Sequence, residues 1–317
     1  MLRSFFFVTL VAAVSVAAAA CGSDTGSSDS TGTSGGVTVE QACASFASAA
    51  CSKLSSCSSF FLELTYGDEA TCRDRLGLTC PPSVGAPGSS QSAADWQACA
   101  NDIPSLGCDA IFERNLPQSC RPKEGTLPDG AACGDSSQCR TSNCDTNDKE
   151  CGVCAPIVAA GSACMEEDDC DYGLTCAQSK CVKRAEMGAT CDAATPCKVT
   201  LACSGGKCAA PAGAGEPCGA MAAGCDTLKG LGCNAMNVCQ KVKLVGPGEV
   251  CGQVGLDFIG CKGGGKCKVA VGGMGMGTCL APAADGAACG ADDGPECQDP
   301  ATCSNDVCTL SDPASCK

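Results

Sequence analysis

Three patterns of apolar and polar positions succeed one another along this chain. Phe5 to Ala20 form an apolar run behind Arg3, shorter than the roughly 20 residues that a membrane span needs. This pattern predicts a cleaved signal segment over residues 1–20. From Thr38 to Leu64, residues Cys43, Phe46, Ala50, Leu54, Cys57 and Phe61 recur at spacings of three and four, the stripe of an amphipathic helix. Thr38, with Gln41 three residues on, predicts its N-cap. Asp68 predicts the cap of a second helix through Arg75, and Ser92 or Asp95 that of a third through Ile103, with Pro81 to Gln91 between them as loop. Beyond residue 122 the helical period stops. Leu174-Thr175-Cys176 and Leu201-Ala202-Cys203 are each followed by a polar or Gly-Gly turn and a returning cysteine, which predicts short β-hairpins.

The hairpin region is a repeat. The phrase G-x-x-C returns at Gly130/Cys133, Gly161/Cys164, Gly188/Cys191, Gly215/Cys218, Gly248/Cys251 and Gly286/Cys289, and three more cysteines follow each copy. The leading glycine predicts a backbone turn before the first cysteine. The modules are Cys133, Cys139, Cys144 and Cys151; Cys164, Cys170, Cys176 and Cys181; Cys191, Cys197, Cys203 and Cys208; Cys218, Cys225, Cys233 and Cys239; Cys251, Cys261, Cys267 and Cys279; Cys289, Cys297, Cys303 and Cys308. The second and third share identical spacings, whereas the fourth and fifth are stretched, so the hairpin expectation is weakest there. Four cysteines allow three pairings; first with third and second with fourth is the expectation within each module. Cys154 and Cys316 are then left over, and either a pairing between them or shuffling in the first and last modules stays open.

Composition sets the physical class. The chain has 35 cysteines and no histidine among 317 residues, a density that belongs to oxidising surroundings. Modules this short bury too little apolar surface to offset chain entropy of about 1–2 kcal/mol per residue, so disulfides at roughly 2–4 kcal/mol each must supply the difference. Between residues 38 and 122 lie Phe46, Phe60, Phe61, Tyr66, Trp96 and Phe112, whereas only Tyr172 and Phe258 follow. The fold class expected is therefore small and disulfide-rich: an N-terminal helical, disulfide-stapled domain followed by a linear array of about six four-cysteine β-hairpin modules. The divisions expected are a lipoprotein signal peptide over 1–20, a lipidated cysteine and Gly/Ser/Thr tether over 21–37, and a helical cysteine-rich domain over 38–122. Repeats follow at 130–154, 161–182, 188–209, 215–240 and 248–280, and a sixth with the C-terminal tail at 286–317.

Ala18-Ala19-Ala20-Cys21 resembles a bacterial lipobox, in which Cys21 becomes the lipidated first residue; the same letters also spell an ordinary Ala-x-Ala cleavage site. The flexible stretch from Gly22 to Val37, and the even number of cysteines left once Cys21 is set aside, favour lipidation. Gly22, rather than Asp, points to the outer membrane or cell surface. The cysteine framework resembles the repeats, similar to the Dickkopf N-terminal domain, of bacterial lipoproteins. Tyr66-Gly67-Asp68, Thr71-Cys72 and Ala86-Pro87-Gly88 are similar to such proteins of the myxobacterial type. The resemblance implies a class and a location but no activity.

Candidate chemistry is sparse. Thiolate metal storage is disfavoured by the absence of C-x-C, the single C-x-x-C at Cys151/Cys154 and the lack of histidine. Gly260 to Lys266 spells the start of a phosphate loop, but Cys267 stands where Mg²⁺ would need Ser or Thr. Gly32-Thr33-Ser34-Gly35-Gly36 matches a nucleophile elbow with no histidine to serve it. Glu166, Glu167, Asp168, Asp169 and Asp171, and likewise Asp292, Asp293 and Glu296, are acidic turns where Ca²⁺ would find oxygen ligands. Neither group keeps the register of an EF-hand, and both read more simply as solvated turns. The formal net charge of −14 disfavours nucleic acid and anionic lipid. The expectation is a non-enzymatic, lipid-anchored structural or interaction module without cofactor, meeting the membrane through its anchor and an unidentified protein or cell-surface glycan. The alternatives are a secreted disulfide-rich inhibitor or binding protein, and less readily an enzyme or metal store.

Overall fold

The computed structural model describes residues 36–317, apart from 147–148, 166, 220–221, 270–274, 291–293 and 311. The signal segment, Cys21, the tether and residues 32–35 of the elbow lookalike lie outside the described residues. Cysteines 43 to 316 close 17 disulfides among themselves. Residues 36–317 are thus a covalently self-contained unit.

Its first part is a helical hub. Helix α1 (Val39–Cys57) starts at Thr38, whose hydroxyl accepts the Gln41 N–H while the Gln41 side chain accepts the Thr38 N–H. The apolar stripe does not run on to Leu64 as one helix, however. Ser58 is extended (φ −159°), and its hydroxyl accepts the Phe61 N–H to cap α2 (Ser59–Thr65) while donating to the Leu228 carbonyl at 2.5 Å. Four serines around Cys57 give that segment little helical preference, and a partner 170 residues away decides the break.

Asp68 caps α3 (Glu69–Gly77), and Ser92 with Asp95 forms the capping box of α5 (Ala93–Asp102). Between them, Cys80–Gly85 is a short helix α4 rather than the loop expected from Pro81 onward. Pro81 and Pro82 occupy its first turn, where the missing N–H costs nothing. Helix α6 is Cys108–Phe112. The hub core has Phe46, Cys99, Ala100 and Ile103 in one cluster and Cys51, Leu62, Tyr66 and Cys72 in another. Trp96 meets Phe46 edge-on at 4.6 Å between centroids and donates its N–H to Ser83. Disulfides 43–80, 51–72, 57–108 and 99–120 staple the helices together.

The six modules follow. The first carries β1 (Ala132–Cys133), β2 (Cys144–Asp145) and β3 (Gly152–Cys154), with β3 central. The second, third and fourth each carry an antiparallel pair: β4 (Leu174–Ala177) with β5 (Lys180–Lys183), β6 (Ala202–Ser204) with β7 (Lys207–Ala209), and β8 (Leu231–Cys233) with β9 (Cys239–Lys241). The fifth is larger, a sheet of β10 (Lys243–Val245), β11 (Val250–Val254), β12 (Asp257–Cys261), β13 (Lys266–Val269) and β14 (Met276–Leu280) in the order β10-β12-β11-β14-β13. The sixth pairs β15 (Thr302–Ser304) with β16 (Val307–Thr309). The stretched fourth and fifth modules keep the hairpin all the same: Cys233 faces Cys239, and Cys267 faces Cys279.

One frame recurs in all six. Each leading glycine lies at positive φ, from 78° to 86°, and donates its N–H to the carbonyl of the fourth cysteine at 2.7 or 2.8 Å; those acceptors are Cys154, Cys181, Cys208, Cys239, Cys279 and Cys308. Three residues before each glycine an apolar residue (Leu127, Val158, Ala185, Ala212, Val245 or Ala283) pairs in parallel with the second cysteine. First–third and second–fourth disulfides complete the frame.

The frame corrects the first module. Its fourth cysteine is Cys154, paired with Cys139, while Cys151 is the one left over and joins Cys316. C-x-x-C offers two cysteines for one place, and only Cys154 stands on β3 where the Gly130 N–H reaches its carbonyl.

Candidate functional site

The modules form a series in chain order, and in space they lie against the hub. Each docks through the segment around and after its second cysteine. In the first module the Ser137 hydroxyl meets that of Ser89 at 2.8 Å, and the Gln138 amide donates to the Pro87 carbonyl. In the second, Tyr172 lies beneath the guanidinium groups of Arg114 and Arg121, at 5.5 and 4.7 Å from its ring centroid. In the third, the Val199 N–H donates to the Glu113 carboxylate at 2.7 Å and Lys198 pairs with Asp109 at 3.0 Å. In the fourth, the Leu228 carbonyl takes the Ser58 hydroxyl, and Gly230, at φ 71°, lies flat against the Phe60 ring, where a Cβ would come within 2.4 Å.

The fifth module docks through the phosphate-loop lookalike. Gly263 and Gly264 donate their N–H groups to the carbonyls of Glu63 and Leu64 at 2.9 and 2.7 Å, so they close the open C-terminal end of α2. Strand β13, not a helix, follows the lookalike, and Lys262 pairs with Glu63 rather than facing a phosphate cradle. In the sixth module, Arg75 grips Asp285 with two nitrogens at 2.8 Å and donates to the backbone carbonyls of Gln298 and Asp299, and the Tyr66 hydroxyl donates to the Asp299 carboxylate at 2.9 Å. The C-terminal tail then returns to the first module. Gln138 donates to the Pro313 carbonyl, and Cys151 joins Cys316. The series is closed.

The ionisable groups at these contacts are tuned by burial and pairing. Burial raises the Asp299 carboxyl above the usual aspartate range, against the opposing pull of its bond from Tyr66 and the charge of Arg75. Burial also raises Glu113, opposed by its bond from Val199. Hydrogen bonds from Lys198 hold Asp109 below its usual range, and bonds to Glu186 and Asp109 raise Lys198 in turn. Asp299, Glu113, Asp109 and Lys198 are all engaged in module docking. An open groove of about 570 Å³ runs beside α1 and α5, lined by Ala44, Ser45, Ser48, Ala49, Ser52, Gln97, Ala100 and Asn101, none of them ionisable.

The acidic turns divide. Glu166, Asp292 and Asp293 lie outside the described residues. Glu167 pairs with Arg184 at 3.2 Å and accepts from the Thr175 hydroxyl, Asp169 accepts from the Met165 N–H, and Asp171 accepts from the Tyr172 N–H. Glu296 lies 3.9 Å from Lys266. Groups of three cysteine sulfurs do approach one another within 4.8 Å, as at Cys133, Cys139 and Cys154, but these are neighbouring disulfides and hold no thiolate for a metal.

Sequence reasoning located the cysteines and the leading glycines and missed the docking residues Ser58, Tyr66, Arg75, Glu113, Lys198 and Asp299. One available signal was the apolar residue three positions before each glycine. The other was the stretched second-to-third spacing of the fourth module, whose extra residues form the turn that reaches Phe60. No family model, curated protein or solved structure matches this chain.

Proposed function

We propose that this chain is a lipid-anchored, non-enzymatic surface module, held at the outer membrane or cell surface through Cys21, with its docked ring of hairpins as an interaction rim for a protein or glycan. The disulfide density itself places the folded part in an oxidising compartment. The observation that carries the reading is the division of labour within each module. The interior is given to two disulfides and the second-cysteine segment to the hub, which leaves the hairpin turns to face outward. In the second, third and sixth modules those turns are short and polar: Gln178-Ser179, Gly205-Gly206 and Asn305-Asp306 are exposed and all hold positive φ in tight two-residue loops. Rigid tips on a cross-linked frame suit recognition, because little order remains to be lost on binding. The cysteine framework supports kinship with Dickkopf-like bacterial lipoproteins, and the Gly/Ser/Thr tether supports display away from a membrane. Metabolic labelling with a clickable fatty acid tests the anchor. Label on the native chain that disappears in Cys21→Ala is the expected result; an unlabelled native chain overturns it.

A further inference from the structure

Large exposed hydrophobic side chains are scattered singly over most of this molecule, as on any protein surface. The fifth module departs from this: Val250, Leu256, Phe258, Val269 and Met276 are all exposed there, Phe258 at 51%. Register shows which of them share an end of the sheet. β11 and β12 join through Gly255-Leu256, with Val254 facing Asp257 and Gln253 facing Phe258. β14 pairs with β11 so that Met276 faces Gly252, and the Gln253 N–H donates to the Gly275 carbonyl. Val269 faces Gly277. Leu256 and Phe258 therefore lie at the β11–β12 turn and Met276 two residues in from it along β11, whereas Val269, level with Cys251, lies toward the other end of that strand with Val250.

Charge at that end runs against the whole chain. Lys243 starts β10 opposite Ile259, and Gln240, one residue before Lys241, donates to both the Leu256 carbonyl and the Asp257 carboxylate. Lys268 faces Thr278, which pairs with Val250 at the far end of β11, and so stands away from this turn. Lys241 and Lys243 are exposed and enter no ion pair among the described residues, with the Asp257 carboxylate close by. The chain's net charge of −14 does not cancel them, since exposed charges are screened beyond about 8 Å at physiological salt.

We propose that this end of the fifth module docks on an anionic lipid surface, with Leu256 and Phe258 entering the boundary between headgroups and acyl chains while Lys241 and Lys243 meet lipid phosphates. Apolar side chains at a hairpin end, flanked by long cationic stems, match an interfacial membrane contact. A protein partner's anchor needs a filled pocket instead. The docking is a second contact, separate from the lipid on Cys21.

The test is flotation of residues 36–317, which lack Cys21, with vesicles of phosphatidylcholine alone or mixed equally with phosphatidylglycerol. Flotation with the anionic vesicles only, falling as salt rises, is expected. Each lysine changed to Gln should weaken partition about fivefold. The exposed pair Leu256→Ser with Phe258→Ser should abolish flotation while the unfolding transition stays in place. Failure of the native fragment to float, or flotation unchanged in these variants, overturns the proposal. So does a dimer in sedimentation that the Leu256 and Phe258 changes abolish, which would assign the surface to a second copy. None of these outcomes bears on the fatty-acid labelling of Cys21.

Discussion

Gly161 and Gly252 hold similar backbone angles, φ 86° and 91°, in different surroundings. A Cβ on Gly161 would meet nothing within 4 Å, whereas on Gly252 it would fall 2.0 Å from the Gly275 carbonyl oxygen. Gly161→Ala should therefore cost only the left-handed backbone penalty, about 1–2 kcal/mol, read as a shifted urea midpoint with the disulfides intact. Gly252→Ala should instead fail to yield folded protein with native disulfides, since strand β11 cannot keep its place beside β14. The leading glycines were legible in the sequence because positive φ before a cysteine leaves few residue types to choose from. Gly252 was not, since its need arises from a neighbouring strand rather than from its own segment. Cys151 and Cys154 mark the same limit: spacing offers both, and the hydrogen bond from Gly130 selects Cys154.

At the scale of elements, caps and hairpins were readable because their determinants lie within a few residues. Thr38 with Gln41 and Ser92 with Asp95 are examples, as are the turns between facing cysteines. The break at Ser58 and the docking of each module depend on partners distant in the chain. Asp299 shows the energetic consequence. Its half-buried carboxyl accepts from the hydroxyl of Tyr66 at the capped end of α2, lies near Arg75 on α3, and is raised by burial above its ordinary value of 3.8. Across the interval from 3.8 up to the raised value the folded state binds more protons than the unfolded state, so stability falls as pH rises. Asp299→Asn keeps an acceptor for the Tyr66 hydroxyl and cannot titrate. Relative to the native chain, the variant should therefore gain stability with rising pH across the mildly acidic range. Paired urea titrations between pH 4 and 7 check this, and parallel curves for the two proteins would contradict it. Taking the difference cancels the opposite slope that the lowered Asp109 contributes.

At the scale of the whole molecule, composition and spacing foretold a stapled helical domain followed by hairpin modules, and gave no hint that the modules encircle the domain. The reason is physical: the contacts that hold the ring are single side chains and backbone groups separated by up to 233 residues, as between Tyr66 and Asp299. They leave no periodicity to read. The disulfide 151–316, spanning 165 residues, fastens the tail back to the first module, whereas no other spans more than 51. A ring docked on a hub and a string of modules trailing from one share every local element and differ in overall dimension. Small-angle X-ray scattering on residues 36–317 therefore tests the central claim directly. The docked ring predicts a radius of gyration close to the roughly 19 Å of a compact chain of about 280 residues. A value half as large again, with the long pair-distance tail of a rod, would contradict it.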